Sequence, residues 1–145
     1  MASSAEAPAT SLLVALPTAL LLLLLLASPH GARAAPNTAA LSVLCNGEKY
    51  GAGDPFAASL AYVLSELRSA TPARRGGHDF YDISPYPTAF AYGHAACREE
   101  LAAADCASCL ASAVEQMDAT CGRSVGARAV LVDCSVRYEQ YAFVD

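Results

Sequence analysis

Apolar side chains recur along this chain with two different periods, and the switches between them mark out its elements. From Phe56 they fall at Leu60, Val63, Leu64 and Leu67, the spacing of one face of a helix. Asp54-Pro55 just ahead supplies an N-cap and a proline for the first helical position, and Pro72 stops the run. A second helix is predicted over about 104–119, where Cys106, Cys109, Leu110, Ala113, Val114 and Met117 form one stripe, and Cys121-Gly122 closes it. Period-two stretches predict strands elsewhere. In 38–45, Leu41, Val43 and Cys45 share a side; 80–86 is broken at Pro85 and followed by Pro87. In 88–96, Phe90, Tyr92 and His94 alternate against small residues, and in 127–134 Val130, Val132 and Cys134 share a face. A last strand, or the same one past a bend, covers 136–143. Asn46-Gly47 predicts a hairpin with a short return strand at 48–50. Two helices among about five short strands, not in strict alternation, predict an α+β domain with both helices on one sheet face. No internal repeat is visible.

Residues 12–26 are almost wholly apolar and are followed by small residues and the cleavage pattern Ala32-Arg33-Ala34. The run is too short for a comfortable membrane span. It predicts a signal peptide over 1–34, cleaved after Ala34, and one domain over 35–145. The leader's one acid, Glu6, and one base, Arg33, cancel, so the remainder keeps the formal net charge of −5. An acidic surface argues against nucleic acid or anionic membrane as partner. The sequence closes on Phe143-Val144-Asp145 without an apolar tail, so neither a span nor a glycolipid anchor is expected after the leader. No Asn-x-Ser/Thr sequon occurs.

All six cysteines follow the leader, which in a small secreted domain predicts disulfides; spacing alone leaves all fifteen pairings open. Cys106 and Cys109 lie on the buried face of their helix, and two neighbours carry possible partners, Cys97 just before it and Cys134 on a later strand. Cys106-x2-Cys109 lacks the second close pair that a zinc site needs, so no metal or other cofactor is expected.

Cys97-x8-Cys106-x2-Cys109, a Gly126-Ala-Arg strand and Cys134-x3-Tyr138-Glu139 together resemble the plant cysteine-rich domain of ginkbilobin. Related domains form the ectodomains of cysteine-rich receptor-like kinases, plasmodesmata-located proteins and cysteine-rich repeat secretory proteins. Pro36-Asn-Thr-Ala, Asp54-Pro-Phe, Pro87-Thr-Ala-Phe-Ala-Tyr-Gly and Leu131-Val-Asp-Cys-Ser-Val-Arg-Tyr-Glu-Gln extend the likeness over about 37–143. Receptor-type members usually carry two copies where this chain carries one. The resemblance implies two helices on a five-stranded antiparallel sheet and the pairs Cys45–Cys121, Cys97–Cys106 and Cys109–Cys134. Each bridge would contribute about 3–4.5 kcal/mol by loop closure. It also implies that Asn46, Arg128 and Glu139 bind mannose. An amide, a guanidinium and a carboxylate supply the fixed donors and acceptors that vicinal hydroxyls need. Against this, Asn46 before glycine suits a turn, and Arg128 with Glu139 suits a cross-strand ion pair.

Other chemistry is weaker. Gly122-Arg-Ser124-Val-Gly126 spells the nucleophile-elbow pattern, but a helix precedes it, a strand follows, and His78 and His94 lie upstream, the reverse of that mechanism's order. His94 reads as a packed or solvated strand residue, and Glu99, Glu100 and Asp105 as acids favouring a helix start. The reading is therefore a non-enzymatic antifungal defence protein, monomeric and secreted to the apoplast, binding mannose or mannose-containing glycans of fungal walls. The alternative is an extracellular protein-interaction module without sugar binding. The helical register yields a first prediction. In denaturant unfolding, Leu110→Ala should cost about 2–5 kcal/mol, whereas Glu115→Ala, on the opposite face, should stay within about 0.5 kcal/mol.

Overall fold

A computed structural model describes residues 34–145, so the predicted leader up to residue 33, with its apolar run, lies outside the described residues. The elements are β1 (Ala40–Cys45), α1 (Phe56–Ala70) with a 3-10 turn at Thr71–Ala73, β2 (Asp79–Ile83), β3 (Tyr92–Cys97), α2 (Ala103–Cys121), β4 (Ala127–Leu131) and β5 (Cys134–Glu139). The five strands form one sheet in the order β1-β4-β5-β3-β2, with every pair antiparallel. Two helices against this sheet, with three disulfides, make the α+β architecture that was expected.

Both helices lie on one face. α1 packs over β2 and β3, and α2 over β1, β4 and β5. The Asp54 carboxylate caps α1 by accepting the Phe56 N–H at 2.9 Å. Phe56, Val63 and Leu67 of α1 are fully buried with Leu110, Ala113 and Met117 of α2, and Glu115 and Asp118 face solvent. Several sheet residues beneath are small, Gly93, Ala95, Ala127 and Ala129, and let the helices sit close to the backbone there, beside the larger Leu131, Val136 and Tyr138.

The disulfides are Cys45–Cys121, Cys97–Cys106 and Cys109–Cys134, the pairs that the resemblance implies. Each has one end in α2. No cysteine is free among the described residues.

Four strand expectations are corrected. The predicted return strand at 48–50 does not pair with β1. Asn46 instead closes a local turn by accepting the Glu48 N–H at 3.0 Å, and 48–50 runs along 123–125, with one bridge between Lys49 and Ser124. The neighbour of β1 is β4. On β1 a bulge between Ala40 and Ser42 breaks the alternation, so Leu41 stands 67% exposed while Val43 keeps its place under α2. On β4 the buried residues are Ala127, Ala129 and Leu131, not Val130 and Val132. The strand ends at Leu131, and Val132-Asp133 resets the phase before Cys134. Arg128 therefore lies on the face away from the helices. The strand over 88–96 also starts later, at Tyr92, because 84–91 forms the connecting loop, closed by Ser84 and Ala91.

A Cβ at Gly93 would overlap the Val63 and Leu67 side chains of α1. Gly93→Ala should therefore destabilise by about 1–3 kcal/mol through overpacking. A lowered urea midpoint at unchanged slope would show it.

Candidate functional site

The face of the sheet away from the helices is polar. Cross-strand register lines up Tyr81, His94, Arg137, Arg128 and Leu44 as one row over all five strands. One step along, Glu139 on β5 stands beside Gly126, and Asn46 is tied to Gly126 by an N–H···O bond of 2.8 Å. Asn46, Arg128 and Glu139 thus come together from three segments and line one shallow pocket of about 350 Å³, shared with Leu44, Arg137 and Tyr141.

Each group is positioned by a local cause. Asn46 leaves the end of β1 immediately after the Cys45–Cys121 bridge, and its Oδ1 is used by the Glu48 N–H. Beneath this turn the Ser124 hydroxyl sits among the carbonyls of Asn46, Glu48 and Gly126, and the buried Tyr138 hydroxyl donates to the Ser124 carbonyl at 3.0 Å. Burial pushes the Tyr138 phenol well above its ordinary pKa, so the proton for that bond stays in place. The serine of the glycine-bracketed motif is thus a buried brace for the Asn46 turn. His78 is bonded to the Leu101 carbonyl and His94 to Asp79 and Asp145.

Glu139 is 9% exposed, and its Oε1 accepts two bonds of 3.2 Å from Arg137. The ion pair on this strand is therefore Arg137 with Glu139, two residues apart on one face, and not Arg128 with Glu139. Gly126 makes room for this carboxylate, since a Cβ there would collide with Glu139 Oε2. That Oε2 and the Nε of Arg128 are both buried without a partner in the protein. One is an acceptor and the other a donor, and both groups line the same pocket. Buried polar atoms left unpaired cost about 1–3 kcal/mol each, so the pocket is suited to a hydroxylated ligand or ordered water.

Residues 44–141 match the model of the salt stress response/antifungal family. The chain belongs to that family. Its antifungal relatives include antifungal protein ginkbilobin-2 of Ginkgo biloba, 37% identical over 113 residues, 75% of this chain and 81% of that protein. Antifungal protein ginkbilobin-like protein 1 of Picea glauca is 33% identical over 86% of this chain and 88% of that protein. Among solved structures, the fold superposes on the tandem DUF26 ectodomain of the Arabidopsis thaliana cysteine-rich receptor-like protein PDLP5, with a TM-score of 0.67 and 25% identity. The chain covers 52% of that ectodomain, about half its length. The ginkbilobin resemblance read from the sequence motifs agrees with these relatives.

Arg137 and Asp145 also belong to this face of the antifungal-family domain, and sequence reasoning did not single them out. The signal for Arg137 was present, because a residue two before Glu139 on a strand must share its face. Asp145 had no such signal. Its segment folds back so that its carboxylate meets Arg137 Nη1 at 2.7 Å and His94 Nδ1 at 2.9 Å. Among the described residues no group of three His, Cys, Asp or Glu is placed to hold a metal ion.

Burial raises the Asp145 carboxyl, but the hydrogen bonds from His94 and Arg137 and the charges of Arg128 and Arg137 outweigh it and hold the group below its ordinary pKa. A lowered carboxyl contributes stability above its unfolded pKa of about 3.9 and loses it as pH falls through the lower folded value. The NMR signals of Phe143 should therefore keep their folded positions from neutrality to about pH 4.5 and move toward unfolded-chain positions only in stronger acid. Release complete above about pH 5 would contradict the assignment.

Proposed function

We propose that the protein is a secreted defence protein that binds mannose-type carbohydrate through Asn46, Arg128 and Glu139. The observation that carries this reading is the pair of buried, unpartnered polar atoms, Glu139 Oε2 and Arg128 Nε, on residues that line one pocket with Asn46. Glu139 Oε2 accepts from a sugar hydroxyl, Arg128 Nε donates to its neighbour, and the Asn46 amide group completes the set. The antifungal names of the relatives support a defence role, and the likeness of this chain to a receptor-like ectodomain supports an extracellular location. Residues 1–34 then act as the leader, removed on export to the apoplast, and fungal wall mannans supply the ligand. No step of this role breaks a covalent bond.

A second reading, an interaction module without sugar binding, draws on the ectodomain likeness and on β1, an edge strand with Leu41 and Leu44 exposed. The sugar reading is preferred because exposed leucines on an edge leave the orphaned polar pair unexplained.

Mannose affinity should be weak, about millimolar, because a shallow pocket offers few hydrogen bonds and water competes for each. In an NMR titration of the oxidised protein, Asn46, Arg128 and Glu139 should shift on mannose addition. Asn46→Ala, Arg128→Ala and Glu139→Gln should each weaken binding about tenfold or more, the loss of one charge-assisted or well-placed bond, with little change in Tm. Unmoved signals at saturating mannose would reject the sugar site and leave the interaction module.

A further inference from the structure

The polar face holds a second arrangement beside the pocket. Tyr81, His94, Arg137 and Arg128 are direct neighbours in the sheet register, so four strands build the row and the 140–145 segment only rests on it. Tyr81 and His94 stack with ring centroids 3.9 Å apart, and Phe143 covers the Arg137 guanidinium at 4.1 Å. Into this row the segment inserts one carboxylate. Asp145 Oδ1 lies 2.7 Å from Arg137 Nη1 and 3.9 Å from Arg128 Nη1, and Oδ2 lies 2.9 Å from His94 Nδ1. The Asp145 N–H donates to the Tyr81 hydroxyl at 3.1 Å. The Asp145 side chain is only 12% exposed.

Asp145 is the carboxylate that both arginines of this face share. Glu139 is engaged by Arg137, and Asp79 lies at the far nitrogen of His94, 3.2 Å away. Arg128 has no carboxylate other than Asp145 within 4 Å among the described residues. Both arginines also line the pocket that holds Asn46 and Glu139. A ligand seated there with its own carboxylate would reach the guanidiniums that Asp145 now occupies.

We propose that Arg128, Arg137 and His94 form a carboxylate subsite next to the hydroxyl-binding pocket, that its ligand is a hexuronate unit of an acidic glycan, and that Asp145 competes for it from within the chain. The proposal rests on the sugar reading above for the groups that hold the ring hydroxyls. A hexuronate presents the same ring hydroxyls as the parent hexose and carries, in place of its C6 hydroxymethyl, a carboxylate, which guanidinium groups recognise in planar, charge-assisted geometry.

Mannuronate differs from mannose only at C6, where a carboxylate replaces the hydroxymethyl, and its methyl ester removes the charge, so the three probes isolate the subsite. Short mannuronate oligosaccharides, their methyl esters and mannose are titrated by NMR into the oxidised protein and into Asp145→Ala and Asp145→Asn. Mannuronate should shift His94 and Arg137 and displace the signals of Phe143 in the unaltered protein. Both Asp145 variants should bind it about tenfold more tightly, roughly the gain from removing one charge-assisted competitor, with mannose affinity changed less than twofold. Arg137→Gln in the Asp145→Asn background should abolish the preference for the acid over its ester. Equal gains for acid and ester, or no gain in either Asp145 variant, would overturn the subsite. Mannose binding with no such gain would sink the subsite alone. Mannuronate binding without mannose binding would sink the hexose reading and leave the subsite.

Discussion

Helix α2 is bonded to three strands at three heights, and the positions of the remaining parts follow from where those bonds hold it. Cys106 near its start is joined to the end of β3, Cys109 one turn on to the start of β5, and Cys121 at its last residue to the end of β1. Cys97 and Cys134 are themselves register partners across β3 and β5, so two bridges fix the same point of the sheet. The third closes a separation of 76 residues, against 9 and 25, and removes the most freedom from the unfolded chain. A domain of this size cannot bury enough apolar surface to be lax about such anchors. The core agrees with them: alanines and a glycine on the sheet let the helices approach to the distance the bridges require.

The same bond that ends α2 sets the pocket. Asn46 follows Cys45 directly, so the bridge to Cys121 holds the turn that presents its amide. The helix ends there because Gly122 takes a positive φ of 56°, where a side chain would be strained, and the chain turns back toward the sheet. That return carries Ser124 and Gly126, one bracing the Asn46 turn and the other clearing space for Glu139. Covalent frame and polar pocket are thus joined through the few residues between Cys121 and Ala127.

Much of this was legible in the residues. Both helices were, because long side chains repeating over several turns leave only one buried face. The strands were legible as elements but not in phase. On β4 the valines looked like the core face, yet the core side is Ala127, Ala129 and Leu131, because the strand ends at Leu131 and the phase resets before Cys134. Asn46-Gly47 signalled a hairpin, and the turn formed, but tertiary pairing gave β1 to β4 instead of to the next residues in the chain. Asn46, Arg128 and Glu139 entered through a family likeness; period-two reading of β4 alone would have turned Arg128 toward the helices. Arg137 could have been found from β5, and Asp145 could not, because its contacts depend on a fold-back that no periodicity encodes.

The division of labour between the two faces explains why stability and recognition can change separately. One face buries the apolar stripes of both helices and all three disulfides' helical ends. The other carries five charged or ionisable side chains whose bonds run mostly among themselves: Arg137 to Glu139, Arg137 and His94 to Asp145, His94 to Asp79. Ion pairs at a partly wetted surface contribute little to folding, and losing one partner leaves another in reach. Arg128 differs, because its Nε has no partner and its nearest carboxylate is 3.9 Å away. A donor left open on Arg128 and an acceptor left open on Glu139, two residues of one pocket, are poor economy for a fold and are groups a ligand can satisfy. That asymmetry, more than the presence of any one residue type, is what makes this end of the sheet a site.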